Sequence, residues 1–213
     1  MPRYAQKGGI MKSVFLFILT SILSTFAFAK VDWTKYDHID PQNLVADIPL
    51  KRAIEYFDMY QDKIKNKKYI TVIDYTKHNS KKRMFVINVV SGAVEPMLVA
   101  HGRGSDPSHT GYAKKFSNTE GSKMTSLGFF ITSGTYQGDN GYSMYLDGIS
   151  PSNSNARKRA IVVHGADYVS DTNVKQYGVI GRSYGCPALD RKLSKRVIDL
   201  IKGGSVIYSY GGQ

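Results

Sequence analysis

Short apolar segments separated by polar turns constrain the fold of this chain more than any other feature. Segments rich in Val, Ile, Tyr and Phe and bounded by Gly, Asn, Ser or Lys are interpreted as strands, at residues 69–76, 83–90, 95–102, 126–136, 141–149, 159–166 and 205–211. Apolar residues with helical spacing occur at residues 47–66 and 190–202. The pattern predicts a single, mainly β domain with two or three helices, arranged as a β-sandwich or barrel.

An apolar segment near the N-terminus sets the expected compartment. Residues 11–29, MKSVFLFILTSILSTFAFA, begin with the basic Lys12 and end in the small-x-small sequence Ala27-Phe28-Ala29. This arrangement is typical of a secretory signal peptide, which we place at residues 1–29 with Met11 as an alternative start. A retained membrane anchor is the alternative, but the uncharged run is shorter than the roughly 20 residues that a spanning helix needs. We therefore expect an exported protein of the periplasm or cell envelope.

The rest of the chain is predicted to have two parts. Residues 30–68 form an N-terminal segment that carries the first helix, capped by Asp47, and residues 69–213 form the main domain. Residues 103–126 are a long polar stretch, and loops of this length in compact domains are more often functional than idle. In the second helix, the side chains expected to face inward are Leu193, Val197, Leu200 and Ile201.

The charge of the chain indicates its partners. It has 29 Lys and Arg residues against 17 Asp and Glu residues, for a formal net charge of +12. A basic exported protein is attracted to an anionic envelope polymer or membrane surface. No nucleic-acid-binding motif is present, so nucleic acid is not an expected partner. No histidine pair or His/Glu spacing suggests metal ligands, and we expect neither a metal nor another cofactor.

The only cysteine is Cys186, in GRSYGCPAL at residues 181–189. Small exported proteins often pair their cysteines, but a single cysteine excludes an intramolecular disulfide. Two interpretations remain for this thiol: a small buried side chain without chemistry, or a nucleophile. A nucleophilic thiol needs a base and donors for the oxyanion.

Among the histidines, His164 is best placed to act as this base. It follows an apolar run and precedes Gly165, where a core strand is expected to reach the surface. Gly185 allows a close backbone approach and a positive φ, so N–H groups near Tyr184, Gly185 and Cys186 can point at an oxyanion. The alternative for His164 is a hydrogen-bonded structural histidine at a strand end.

The segments around these two residues resemble the L,D-transpeptidase catalytic domain family, the YkuD-type cell-wall enzymes. IVVHGADYV (161–169) and GRSYGCPAL are similar to its signature, a His-Gly at a strand end followed by Ser/Thr-x-Gly-Cys. The match is closest to a branch with Gly-Arg-Ser-aromatic-Gly-Cys-Pro-Ala. There it extends to VAHGRGSD (99–106), KFSNTEGSKMTSLGFF (115–130) and NARKRAIVVHGA (155–166), and so covers about residues 69–210.

The resemblance implies a β-rich fold and an enzyme of peptidoglycan stem peptides, with residues 69–213 as its catalytic domain. Such enzymes attack the bond between a diamino acid and a terminal D-alanine. By the same resemblance, Cys186 matches the nucleophile and His164 the base, while Ser183 and Gly185 match the positions that frame the oxyanion site.

Two departures from the commoner family pattern affect substrate binding. Tyr184 stands where that pattern has a second histidine, and Ala188 stands where it has a polar residue. Binding of the substrate carboxylate is therefore expected from elsewhere. Arg182 is the first candidate, because a guanidinium can bind a carboxylate through two hydrogen bonds, and Arg103 is the second. For both, a solvated loop charge is the alternative.

Further residues are candidates for lining the substrate cleft. They are His101, Gly165, Tyr168 and Tyr184. For His101 the alternative is a capping role at a strand end, and for the tyrosines it is packing.

Three functions remain open from the sequence. The first is an L,D-transpeptidase that forms a Cys186 thioester with a stem peptide, releases D-alanine and transfers the acyl group to an amine. The second is an L,D-carboxypeptidase or endopeptidase that hydrolyses the same bonds. The third is a non-catalytic cell-wall-binding module. Papain-like and NlpC/P60-type peptidases are disfavoured because their cysteine precedes their histidine, and the downstream arginine of sortases has no good counterpart.

Overall fold

The computed structural model describes residues 31–212, and the expected signal peptide lies outside them. The chain from Val31 onward forms one compact unit. Its strands are β1 Tyr69–Asp74, β2 Met84–Asn88, β3 Val94–Met97, β4 Gly128–Gly138, β5 Gly141–Gly148, β6 Val162–Ala166, β7 Ala188–Asp190 and β8 Val206–Tyr210. Its helices are α1 Asp47–Met59, α2 Asp171–Tyr177 and α3 Arg191–Ile201. The predicted fold class, mainly β with two or three helices, is confirmed.

All eight strands form one sheet, in the order β3-β2-β1-β8-β4-β5-β6-β7. Neighbouring strands are antiparallel except for β1 with β8 and β6 with β7, which are parallel. The chain that follows β3 approaches β7: the Ala100 N–H donates to the Ala188 carbonyl at 2.9 Å, and Gly102 forms a bridge with Ser183. The sheet therefore curves into a nearly closed barrel, and the cysteine segment lies where its two edges meet.

The two faces of the sheet bury separate apolar clusters. The α1 residues Ile54 and Phe57 pack with Ile70 and Val72 of β1 on one face. The α3 residues, including Val197, pack with the cluster on the other face. Side chains alternate between the faces of a strand, so β1 contributes to both clusters. The N-terminal helix is therefore part of the domain core.

Helix ends and facing side chains differ from the predictions in two places. The first helix ends at Met59, and a 3-10 turn follows at Gln61–Lys63. Its N-cap is Ala46 without a side-chain hydrogen bond, so Asp47 is the first helical residue and not the cap. In α3 the buried side chains are Ser194, Val197, Ile198 and Ile201. This i, i+3, i+4, i+7 spacing turns Leu193 toward solvent.

Two short elements, α2 and β7, were not predicted. Helix α2 has no buried residue, so it carries no apolar periodicity. At its N-terminus the Ser170 side chain accepts from the Asn173 N–H, and at its C-terminus Gly178 adopts the left-handed conformation. Strand β7 has 3 residues and depends on β6 for its pairing. No helix of residues 31–212 has the length and apolar character to cross a membrane.

Candidate active site

Cys186 lies between the start of β6 and the entry to β7. The Val162 N–H donates to its Sγ at 3.5 Å, and the thiol donates to the Ala160 carbonyl at 3.5 Å. The side chain is half-buried. Burial raises the pKa of the Cys186 thiol, while the Val162 hydrogen bond and the charge of Arg159 act in the opposite direction. The group is therefore a protonated thiol at neutral pH.

His164 lies on the strand next to this thiol. In the parallel pairing of β6 with β7, His164 is opposite Ala188, two residues after Cys186. Along β6 it is two residues from Val162, or about 7 Å, and on the same face of the strand. The structure therefore places His164 on the strand that pairs with β7, and Cys186 two residues before the start of β7.

One nitrogen of His164 has a fixed role. Its Nδ1 is 3.1 Å from the Gly165 carbonyl oxygen, which can only accept, so Nδ1 carries the proton and Nε2 keeps its lone pair. Burial, the main cause, lowers the pKa of His164, and Arg191 contributes in the same direction. The imidazole is neutral at neutral pH and can accept a proton at Nε2.

Ser183 and Gly185 shape the turn that holds the thiol. The Ser183 hydroxyl donates to the Cys186 carbonyl at 2.6 Å and accepts from the Gly185 N–H at 3.0 Å. Gly185 has φ of 125°, and a Cβ on it would lie 2.7 Å from the Met124 carbonyl oxygen, so only glycine fits. Within residues 31–212 the N–H groups of Tyr184 and Cys186 have no hydrogen-bond partner. These two groups, and not that of Gly185, are free to bind an oxyanion.

His101 lies on the other side of the cysteine segment. Its carbonyl accepts from the Ser183 N–H at 2.9 Å, which anchors the turn. Its side chain is 0% exposed and belongs to a buried cluster of Arg83, His101 and Asp106. Arg83 Nη2 donates to His101 Nδ1 at 2.7 Å, and His101 Nε2 is 3.4 Å from Asp106 Oδ2. The structure thus places this imidazole in the interior and not on a cleft wall.

Burial, followed by the charge of Arg83, lowers the pKa of His101 to about 3. Arg83 is itself fully buried and donates to the Val99 carbonyl through Nε and Nη2, at 3.1 and 2.9 Å, and to the Lys77 carbonyl through Nη1 at 2.9 Å. The cluster therefore consists of one buried cation, one carboxylate and a neutral imidazole.

Arg182 contacts the protein main chain. Its Nη1 donates to the carbonyl oxygens of Asp106 and Pro107, the latter at 3.0 Å. These bonds tie the cysteine segment to the long polar stretch. A guanidinium engaged in this way is less available to a substrate carboxylate than the sequence suggested.

Arg103 occupies a more exposed position beside the thiol segment. Its guanidinium carbon is 4.9 Å from the centroid of the Tyr184 ring, and Lys123 Nζ is 5.3 Å from the same centroid. Tyr184 is 65% exposed. Within the described residues neither cation forms an ion pair with an acid. These three side chains, the Tyr184 patch, present unbalanced positive charge next to the cysteine segment.

The remaining candidates, Gly165 and Tyr168, differ in burial: Gly165 is buried and Tyr168 is half-buried. Gly165 is buried against α3, where a Cβ would be 2.5 Å from Ser194 Oγ, so its role is close packing. Tyr168 is half-buried and lies against Gly181. Burial, followed by the charge of Cys186, raises the pKa of Tyr168 to about 12. Of the two, only Tyr168 can border a bound substrate.

Arg159 is the site residue that sequence reasoning missed. Its Nη1 donates to the Ser117 carbonyl at 2.7 Å and to Ser126 Oγ, and its Nη2 donates to the Met124 carbonyl at 2.6 Å and to Ser122 Oγ at 3.2 Å. The sequence holds no signal for this role, because Arg159 ends a run of three basic residues that looks like a solvated surface. No group of three or more His, Cys, Asp or Glu side chains in residues 31–212 is arranged to hold a metal ion.

Comparison with known proteins gives one family and several distant structures. A family model described as L,D-transpeptidase catalytic domain matches residues 42–210. No curated protein sequence matches the chain.

Three of the similar solved structures are as follows. An L,D-transpeptidase from Mycobacterium tuberculosis H37Rv is 14% identical with a TM-score of 0.42, covering 68% of this chain and 58% of its own. One from Mycobacterium smegmatis is 14% identical with a TM-score of 0.40, covering 68% and 59%. The helical cell shape determining protein Pgp2 from Campylobacter jejuni is 12% identical with a TM-score of 0.41, covering 73% and 55%. This chain therefore spans less than two thirds of the length of each.

Proposed function

Because this chain belongs to the L,D-transpeptidase catalytic domain family, we propose that it is a cysteine-dependent enzyme that acts on peptidoglycan stem peptides. The observation that carries the proposal is the pairing of β6 with β7. His164 on β6 lies opposite Ala188, two residues after the only cysteine of the chain, and its Nδ1 lies against the Gly165 carbonyl. A thiol and a neutral imidazole on neighbouring segments support the proposal, because an activated thiol nucleophile needs a base.

The first half-reaction forms a thioester. His164 Nε2 takes the proton of the Cys186 thiol, and the sulfur attacks the carbonyl carbon of the bond between the diamino acid and D-alanine. The oxyanion that develops accepts hydrogen bonds from the N–H groups of Tyr184 and Cys186. When the C–N bond breaks, the imidazolium returns its proton to the leaving amine, and D-alanine departs.

The second half-reaction releases the acyl group. An acceptor amine attacks the thioester carbon and loses a proton to His164, and the sulfur leaves and regains its proton from the imidazolium. The product is a cross-link or another amide. If water replaces the amine, the same steps produce a free carboxylate, which is the carboxypeptidase or endopeptidase reaction.

The Tyr184 patch is the proposed binding site for a substrate carboxylate. Ala188 has only a methyl side chain and is buried in β7, so this position supplies no polar group to a substrate. Arg182 is engaged with main-chain carbonyls, whereas Arg103 and Lys123 are exposed and lack an acidic partner within residues 31–212. We therefore assign carboxylate binding to Arg103, with Lys123 as a second cation.

The substrate also sets the proposed location. Peptidoglycan lies outside the cytoplasm, which agrees with the signal peptide expected at residues 1–29. The net charge is +12 for the chain and +9 without residues 1–29, which contain Arg3, Lys7 and Lys12 and no acid, and this charge would hold the protein near an anionic envelope polymer or membrane surface.

The experiment that tests the proposal is product analysis with muropeptides. Purified protein is incubated with tetrapeptide-containing muropeptides, with and without an acceptor amine, and intact-protein mass spectrometry follows the acyl-enzyme. We expect a covalent adduct on wild-type protein and none on Cys186→Ala. Products that need the amine indicate transfer, and products that form without it indicate hydrolysis.

Two outcomes would contradict the proposal. Full activity of Cys186→Ala would exclude the thiol as nucleophile. Binding of muropeptides without an adduct and without products would favour the non-catalytic wall-binding module.

A further inference from the structure

Arg159 is a half-buried cation without an acidic partner in the described chain. All hydrogen bonds of its guanidinium go to neutral oxygens of residues 117–126, and no Asp or Glu of residues 31–212 forms an ion pair with it. Burial lowers the pKa of this guanidinium, which reflects the unfavourable desolvation of its charge. Arg157, two residues earlier, is exposed and binds Asp147 through Nε and Nη2, at 2.8 and 3.1 Å.

The guanidinium of Arg159 lies close to the segment that carries the thiol. Its Nη2 would be 3.3 Å from a Cβ on Gly185, so the guanidinium packs against the residue that precedes Cys186. The next residue in the chain, Ala160, supplies the carbonyl that accepts from the Cys186 thiol. The turn at residues 159–160 therefore brings both the Arg159 charge and the Ala160 carbonyl against the cysteine segment.

That turn has an unusual backbone conformation. Ala160 has φ of 52°, in the left-handed region that residues other than glycine rarely adopt. The Ala160 N–H donates to the Arg157 carbonyl at 3.1 Å, and the Ile161 N–H donates to the Ala156 carbonyl at 2.9 Å. Such strain is maintained only when the surroundings fix it, and it is concentrated at functional sites.

The other titratable groups near the thiol are neutral in the pH range of the reaction. His164 on β6 is neutral because burial lowers its pKa. The Cys186 charge contributes to the raised pKa values of Tyr168 after β6, Tyr136 on β4 and Tyr75 after β1, so these phenols remain protonated. Among the described residues whose charge acts on the thiol, Arg159 is therefore the one cation.

We propose that Arg159 is the positioning residue whose positive charge balances the Cys186 thiolate while its hydrogen bonds hold residues 117–126 beside the cysteine segment. The proposal rests on the proposed function in one respect, that Cys186 reacts as a thiolate. An opposite charge within about 4–6 Å favours the ionised form of a group by about one to three pKa units. The Arg159 charge lowers the pKa of Cys186, whereas burial raises it. Removing the charge therefore leaves burial less opposed and makes the thiolate harder to form.

The test is the pH dependence of Cys186 alkylation by iodoacetamide in the full chain. This reaction needs only the thiolate and no peptidoglycan, so its outcome is independent of whether the protein transfers acyl groups. The variants are Arg159→Gln, which removes the charge, Arg159→Lys, which keeps it, and the matched control Arg157→Gln. Arg159→Met is the second neutral variant if Arg159→Gln does not fold, and thermal denaturation checks that each protein is folded.

For the neutral variants we expect the midpoint of the alkylation profile to rise by about one pH unit, with alkylation about tenfold slower below that midpoint. Arg159→Lys is expected to stay close to the wild-type midpoint even if its melting temperature falls, and Arg157→Gln is expected to match the wild type. An unshifted midpoint in a folded neutral variant would overturn the proposal. An equal shift in Arg159→Lys and the neutral variant would also overturn it, because the effect would then come from lost hydrogen bonds and not from charge.

Discussion

Two His-Gly segments with almost the same sequence, LVAHG at residues 98–102 and IVVHG at residues 161–165, flank the cysteine segment on opposite sides. The backbone of the first binds Ser183, and the second lies in the strand that pairs with β7. Both imidazoles are buried, His101 at 0% and His164 at 4% exposure, and burial is the main cause of the lowered pKa of each. Local sequence and burial therefore do not distinguish them.

The two histidines differ in what faces the second ring nitrogen. His101 has Arg83 on Nδ1 and Asp106 facing Nε2 at 3.4 Å, so both nitrogens lie against fixed charges. His164 has the Gly165 carbonyl on Nδ1, and within residues 31–212 its Nε2 has neither a hydrogen-bond partner nor a facing charge of this kind. The partner of the second nitrogen therefore distinguishes the enclosed His101 from His164, the proposed base.

The largest expected effect separates the two histidines by activity. His164→Gln removes the proton acceptor, so we expect thioester formation to slow by about 10²- to 10⁴-fold, while the melting temperature changes little. His101→Gln is the matched control and should lower the melting temperature more than the rate. Rates are followed by mass spectrometry and stability by thermal denaturation. A folded His101→Gln protein that loses as much activity as His164→Gln would contradict the distinction.

The second expected effect concerns stability. Arg83→Met leaves His101 Nδ1 and the Val99 and Lys77 carbonyls without their donor, and it removes a buried charge that attracts Asp106. Breaking a buried charged cluster in this way typically costs about 3–5 kcal/mol of unfolding free energy. Denaturant unfolding measures the loss. Arg157→Gln, which breaks an exposed ion pair, is the control and should cost less than about 1 kcal/mol; equal losses would show that the cluster is not stabilising.

The third expected effect is a pH dependence of folding that His101 dominates. Its pKa is about 3 in the folded protein, below the ordinary value of 6.5, so the unfolded chain binds a proton that the folded chain excludes. The stability is fully present above about pH 6.5 and is lost as the pH falls toward 3, with a slope approaching about 1.4 kcal/mol per pH unit.

Unfolding free energies measured by denaturant between pH 3 and 7 check this slope. His101→Gln should flatten it. His164 acts in the same direction, because burial lowers its pKa as well. An unchanged slope in His101→Gln would assign the acid sensitivity to other groups.

The smallest expected effect tests the two arginines as carboxylate ligands. Arg103→Gln removes an exposed cation of the Tyr184 patch, and we expect KM for a stem peptide to rise about threefold to tenfold with kcat nearly unchanged. Lys158→Gln, which removes an exposed cation paired with Glu120, is the control. Steady-state kinetics decide the matter: a larger rise in KM for Arg182→Gln than for Arg103→Gln would return the carboxylate site to Arg182.

Much of the fold could be predicted because its signals are local. Most strands lie within three residues of their predicted ends, since a short apolar run bounded by turn residues marks a strand that is buried on both faces. Strand β7 escaped prediction because three residues have no periodicity of their own and are ordered only by β6. Leu193 was assigned to the core face of α3 and Ile198 was missed, because the facing side is set by what the helix packs against.

In the candidate site, too, some features have a local sequence signal and others depend on tertiary packing. The sequence by itself determined the mainly β class and a single thiol that cannot form an intramolecular disulfide, and it singled out His164 and Cys186 as a pair whose catalytic role stays a prediction. Only the tertiary structure decided that His101 is enclosed by Arg83 and Asp106, that Arg182 binds a carbonyl 76 residues away, and that Arg159 and not Arg157 packs against Gly185, the residue before Cys186. The physical reason is that the protonation and availability of a side chain depend on desolvation and hydrogen-bond partners. Those partners come from segments distant in sequence, which become neighbours only when the sheet closes.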